Sequence, residues 1–147
     1  MCTAIYIAAN KPLPLIQWEE GKSIFYTALV SGEPDVKVHK QFINSNTCYA
    51  GSYEGCGCGF HNFENEDFPG IFTEEELTIS EKSRIEFKHY LDKLLEDNYE
   101  IEIFICWEGD QGERPEIIIN ITTEDILRKT FWIDEERKYC KLVSRNV

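Results

Sequence analysis

Residues 80–107 read SEKSRIEFKHYLDKLLEDNYEIEIFICW, and the change of hydrophobic period inside this stretch decides the fold. Phe87, Tyr90, Leu91, Leu94 and Leu95 stand at i, i+3, i+4, i+7 and i+8, the spacing of one apolar stripe on an α-helix. Ser80 offers an N-cap oxygen and Asp97-Asn98 suits a C-terminal stop, so a helix is expected over about 80–97. After Glu100 the period falls to two: Ile101, Ile103, Ile105 and Trp107 alternate with Glu102, Phe104 and Cys106. That is the pattern of a strand, and the helix has a sheet to lay its stripe on.

Working outward, the downstream residues continue the strand pattern. The turn-rich stretch Glu108–Pro115 leads to Ile117, Ile119 and Ile121, again at period two, which predicts an antiparallel hairpin with the preceding strand. Thr123 is placed to cap a short helix near 124–129. Two short strands are expected at Thr130–Ile133 and Tyr139–Val143, joined by the charged turn Asp134-Glu135-Glu136-Arg137. Upstream, Cys2 to Ala8 is a buried strand by composition. Lys11–Leu15, with Pro12 and Pro14, is an extended connector. Ser23–Val30 is a further apolar run closed by Ser31-Gly32-Glu33-Pro34, and Val36 and Val38 alternate with Lys37 and His39 as in a strand with one wet face. Thr73 and Glu76 fit a capping box for a short turn, and Asn62–Gly70 reads as a loop. The sum is an α+β fold: a single domain over 1–147, with a mainly antiparallel sheet packed against one long amphipathic helix.

The chain carries 15 Lys and Arg against 27 Asp and Glu, a formal charge of −12. The excess is concentrated in residues 51–100, where thirteen acids face four bases, and a phosphate backbone or an anionic membrane surface is repelled by such a segment. Nucleic acid and membrane are therefore not expected partners. The acidic surface reads first as solubility, and the alternative is a docking face for a basic protein partner, in the manner of an acidic inhibitor or immunity-type antagonist; a homodimer would cover an isoleucine-rich edge or face. No apolar run reaches the roughly 18 residues of a membrane span. The N-terminal residues lack a basic and then apolar leader, so the expected compartment is the cytoplasm, where cysteines serve as thiols or metal ligands.

The densest chemistry lies in Thr47–His61, TCYAGSYEGCGCGFH, where Cys48, Cys56 and Cys58 are followed by His61 in the spacing C-x7-C-x-C-x2-H. Cys2, on the first strand, is free to approach in space. Zinc takes four N or S ligands with Zn–S near 2.3 Å, which puts two sulfurs on one ion about 3.8 Å apart. Extended residues two apart have Cα atoms separated by roughly 6.7 Å. Cys56 and Cys58 can share an ion only if the chain bends, and Gly55, Gly57 and Gly59 allow that bend. Three readings follow from the same residues. Cys2, Cys48, Cys56, Cys58 and His61 are candidate zinc ligands. Cys56 or Cys58, with His61 as base, is a candidate redox or catalytic thiol. Alternatively the cysteines are small packed residues in a glycine-rich segment. The sequence holds no positive residue between Lys40 and Lys82 to stabilise a thiolate locally. The alternating glycines lack the Lys-Ser or Lys-Thr of a phosphate loop. His39 and His89 are expected at the surface. Trp18, Trp107 and Trp132 are expected to fill core.

The opening Met1-Cys2-Thr3-Ala4-Ile5 resembles that of the choloylglycine hydrolases, whose N-terminal cysteine is a nucleophile with its own α-amine as base. The resemblance covers five residues and nothing downstream matches, so the family is not assigned. No His-Glu-x-x-His, Gly-x-Ser-x-Gly or Walker motif is present. The carboxylate runs Glu74-Glu75-Glu76 and Asp134-Glu135-Glu136 read as solvated faces.

Overall fold

The computed structural model describes residues 2–134 and 136–144. Met1 of the opening pentapeptide and Glu135 of the expected charged turn lie outside the described residues. The fold is α+β, as the change of period requires. Six strands, β1 (Thr3–Ala9), β2 (Phe25–Leu29), β3 (Asn46–Ser52), β4 (Ile101–Trp107), β5 (Ile117–Ile121) and β6 (Lys138–Leu142), form one sheet in the order β2-β3-β1-β4-β6-β5. All neighbouring pairs are antiparallel except β5 and β6, which run parallel. The long helix α1 (Glu74–Glu96) packs on one face over Ile5, Ile7, Cys48, Ile103 and Cys140 through Phe87, Tyr90, Leu91 and Leu94.

Both faces of the central strands are covered, and this separates the sheet from a simple two-layer expectation. β1 is buried along its whole length. Its second face, with Ala4, Tyr6, Phe104 and Cys106, is closed by a 3-10 helix at Asp35–Gln41 that contributes Val38. That helix replaces the strand expected at Val36–Val38. A three-residue alternation satisfies a helical turn as well as a strand, and here the turn wins because it lids the sheet: Asp35 accepts a hydrogen bond from the Tyr6 hydroxyl beneath it. His39 is exposed on this helix rather than on a sheet. Glu102, the polar residue in the deciding strand, is buried on the same side, where its carboxylate accepts from the Ile43 and Asn44 amides and the Tyr139 hydroxyl.

Three further expectations are corrected. The Thr73–Glu76 capping box opens α1 itself, not a short turn; Ser80, expected as its cap, is fully buried inside the helix. The early turns carry Glu74, Glu75 and Glu76 and little apolar stripe, which hid them, yet acids in a first turn suit the helix dipole. β4 and β5 do not form a hairpin: β6 lies between them, pairing antiparallel with β4 and parallel with β5. Parallel neighbours need a crossover of a dozen or more residues, and residues 122–137 supply it. Within that crossover a 3-10 helix at Thr123–Leu127 is capped by Thr122 with Asp125, and Lys129–Trp132 is a short helix, α2, rather than a strand. Phe131 and Trp132 thereby turn inward against Phe60 and Phe87.

Candidate metal centre and adjoining cavity

The site is made where the end of β3 turns back over the start of β1. Ser52 closes the turn: its amide and hydroxyl both donate to the Cys56 carbonyl, at 2.8 and 2.6 Å, and its carbonyl accepts from Gly55 N–H at 3.0 Å. Gly55 has φ +82°, a left-handed conformation that costs glycine nothing and most residues about a kcal/mol. Cys56 is extended and caps a 3-10 helix at Gly57–Phe60. This is the bend that the glycine spacing requires for two sulfurs to meet. Gly57 serves a second need, close approach: a Cβ there would stand 2.8 Å from the Thr3 carbonyl oxygen and 3.0 Å from the Ile5 side chain.

The bend brings together three sulfurs from two distant stretches. The Sγ atoms of Cys2, Cys56 and Cys58 lie within 4.8 Å of one another, with Cys2 exposed and the other two half-buried. Cys58 Sγ accepts from the Thr3 amide at 3.3 Å, and Cys56 Sγ from the Cys58 amide at 3.4 Å. At Cys56 the Cys58 amide aims partial positive charge at sulfur and favours thiolate. Burial acts the other way on Cys56 and, reinforced by Cys58 and Cys2 nearby, pushes its thiol up to about 12. A cation among the three sulfurs reverses that balance, since one ion neutralises several thiolates at once. The spacing needs little adjustment: pairs at no more than 4.8 Å close to the roughly 3.8 Å of a shared tetrahedral ion.

The remaining sequence candidates sit elsewhere. Cys48 is buried in the core beneath α1, in register with Ile7, and its thiol is likewise raised to about 12 by burial. It is not one of the clustered sulfurs. His61 follows the 3-10 helix, and its Nδ1 stands 3.0 Å from the Trp132 carbonyl oxygen. A carbonyl only accepts, so Nδ1 carries the proton and Nε2 the lone pair. Burial, with Lys138 and Arg84 nearby, lowers its pKa and keeps the ring neutral. Nε2 is buried without a hydrogen-bond partner. Cys58 and His61 both line a cavity of about 490 Å³ between the 3-10 turn, β4 and α2, walled by Phe72, Trp107, Trp132 and Ile133.

One residue that holds the site escaped the sequence reading. Arg84 is buried in α1, and its Nη1 donates to the carbonyls of Phe60 at 2.9 Å and Asn62 at 3.2 Å and to Ser80 Oγ at 2.9 Å. Ser80 in turn donates to the Gly59 carbonyl. The helix thus grips the C-terminal side of the bend, while the Arg84 guanidinium lies over the Phe63 ring at 3.8 Å. The signal was present: Ser80 and Arg84 fall on the Phe87–Leu94 stripe at helical spacing, and a cation on a buried stripe needs a partner. It was the fold that carried this cation to a segment with no basic residue of its own.

The result is a thiol-bearing α+β fold with a three-sulfur cluster at the end of its central strands. No helix among the described residues is long and apolar enough to cross a membrane. Comparison with known protein families, curated proteins and solved structures finds no match for this chain.

Proposed function

We propose that the chain is a metal-binding domain in which Cys2, Cys56 and Cys58 hold one thiophilic cation, zinc by preference. The observation that carries this reading is the convergence of three sulfurs within 4.8 Å from segments more than fifty residues apart in sequence. Thiolate donors select zinc or cuprous copper over hard cations, and of these zinc is the redox-inert structural ion. Its role here is to tie the start of β1 to the connection between β3 and α1. Three protein sulfurs leave the fourth tetrahedral position to water or an added ligand, and the exposure of Cys2 gives that position access to solvent. His61 is not needed for this ligand set; its Nδ1 is engaged by Trp132.

Binding must expel the Cys56 proton, because that thiol titrates near 12 without a cation. Affinity therefore rises with pH, about tenfold per unit for each proton released. Elemental analysis of protein purified without added metal, followed by cobalt substitution, tests the reading. Near one zinc per chain and a thiolate-to-cobalt charge-transfer band are expected, both lost in Cys58→Ser and both kept in Cys48→Ser. Failure of the reduced protein to take up zinc at tens of micromolar free metal would overturn it.

A further inference from the structure

We infer that the outer edge of β5 pairs with β5 of a second copy of this chain, antiparallel and centred on Ile119. β5 is the last strand at one end of the sheet. Two bonds fix which of its backbone groups face β6: the Ile117 amide donates to the Arg137 carbonyl, and the Ile121 carbonyl accepts from the Val143 amide. Residues 117, 119 and 121 therefore pair inward, and by the alternation of a strand Ile118 and Asn120 aim their N–H and C=O groups away from the sheet. The flanking amides are engaged already, Glu116 with the Arg137 carbonyl and Thr122 with the Asp125 carboxylate. Among the described residues no strand lies beyond β5 to meet the Ile118 and Asn120 groups.

Three observations select a second copy as the occupant. Register is the first. With Ile119 opposite the second copy's Ile119, Ile118 stands opposite Asn120 on each side of a two-fold axis, and the outward groups of both copies close four backbone hydrogen bonds. Charge is the second. Edge strands are ordinarily guarded by Lys, Pro or a bulge, yet Ile117–Ile121 carries no charged side chain, and Ile118 is 72% exposed. Glu116 at its start is paired with Arg137 at 3.1 Å. Two chains of net −12 can thus meet here without setting unpaired carboxylates against each other, and the strand offers no charge that would select a basic or acidic foreign segment. Closure is the third. On the outer side of β2, at the opposite end of the sheet, Ile16 and Thr27 exchange backbone bonds at 3.3 and 3.1 Å. That edge is covered, so pairing stops at a closed dimer and does not run on into a filament.

Sedimentation of the full chain between about 5 and 500 µM tests this, since an interface built on one short edge is expected to be weak and reversible. The mass should rise from one copy to two. Asn120→Pro removes an outward amide and no bond within the chain, and should weaken dimerisation about thirtyfold through the two hydrogen bonds lost per dimer. Ile119→Lys sets two like charges directly opposite and should weaken it at least tenfold. Cross-linking reads the register independently of those variants. Copies of Ile119→Cys should join under mild oxidation with diamide, because a non-hydrogen-bonded antiparallel pair holds its Cα atoms about 4.5 Å apart. Copies of Ile118→Cys should join no more than the native chain does. Dimerisation should also survive chelation, which separates it from the metal site. A chain monomeric at every concentration would leave the edge to a strand of another protein and overturn the inference. So would a dimer indifferent to Asn120→Pro or to Ile119→Lys, equal cross-linking at positions 118 and 119, or a dimer lost on chelation, which would place a bridging ion at the exposed Cys2.

Discussion

The six cysteines occupy two contrasting environments. Cys48, Cys106 and Cys140 sit on strands, each buried and each among different neighbours: Cys48 and Cys140 under α1, Cys106 on the opposite face with Tyr6 and Phe104. Cys2, Cys56 and Cys58 lie at the sheet's end, half-buried or exposed, with their sulfurs together. A strand disperses its side chains, sending alternate residues to opposite faces at about 3.3 Å rise. A bend gathers them. The same residue type is inert packing in one place and a set of donors in the other, and backbone geometry makes the difference.

Raising the pH should have the largest effect on the strand thiols. Burial lifts the thiols of Cys48, Cys106 and Cys140 to about 12, against about 8.5 in an unfolded chain. Between these values the native state keeps protons that the unfolded state has lost. Their stabilisation is complete below about pH 8.5 and disappears as pH rises toward 12, by up to about 1.4 kcal/mol per pH unit for each thiol. Denaturant titrations at pH 8, 9 and 10 should show this decline, and Cys140→Ala should reduce its slope.

The next largest effect is expected at the clasp between α1 and the bend. Arg84→Met leaves the Phe60 and Asn62 carbonyls without their donor, a loss of about 3 kcal/mol in chemical unfolding. The strand thiols should stay protected from alkylation in this variant, while Cys56 and Cys58 become faster to react. Zinc should act in the opposite direction on the same group. At a hundredfold excess over its dissociation constant it adds about 2.7 kcal/mol of stability, visible as a rise in Tm. Cys140→Ser should keep that rise and Cys56→Ser should lose it. The smallest expected change comes from Gly57→Ala, whose methyl meets the Thr3 carbonyl and Ile5. Overpacking there should cost about 1–2 kcal/mol and weaken zinc binding by spreading the sulfurs.

The fold was largely legible because periodicity reports directly on which face is buried. Phe87 to Leu95 marked a helix, and Ile101 to Trp107 a strand, before any contact was known. What stayed hidden were features that depend on a partner surface. The first turns of α1 have no stripe to show, Val36–Val38 became a lid only because Tyr6 and Phe104 needed covering, and Thr130–Ile133 folded inward as a helix to seat Trp132 on Phe60. Strand order was equally hidden: β4 and β5 look like a hairpin until β6 is placed between them. At the site, Cys56 and Cys58 could be named from spacing and from the glycines, whereas Cys2 was an alternative to Cys48 that only the fold could bring near. Cys48 and His61 were equally good candidates on spacing alone. Their absence from the cluster comes from the register of Cys48 opposite Ile7, and from the fold's placing His61 outside the group that Cys2, Cys56 and Cys58 form.

The sequence by itself determined the element types, the acidity and the capacity to bend at Gly55–Gly59, because these rest on local sterics, charge and period. The tertiary structure decided which sulfurs meet, which imidazole nitrogen is left unsatisfied and which cation from α1 secures the turn. Those outcomes depend on atoms far apart in the chain, brought within a few ångströms only when the sheet and helix bury their apolar faces together.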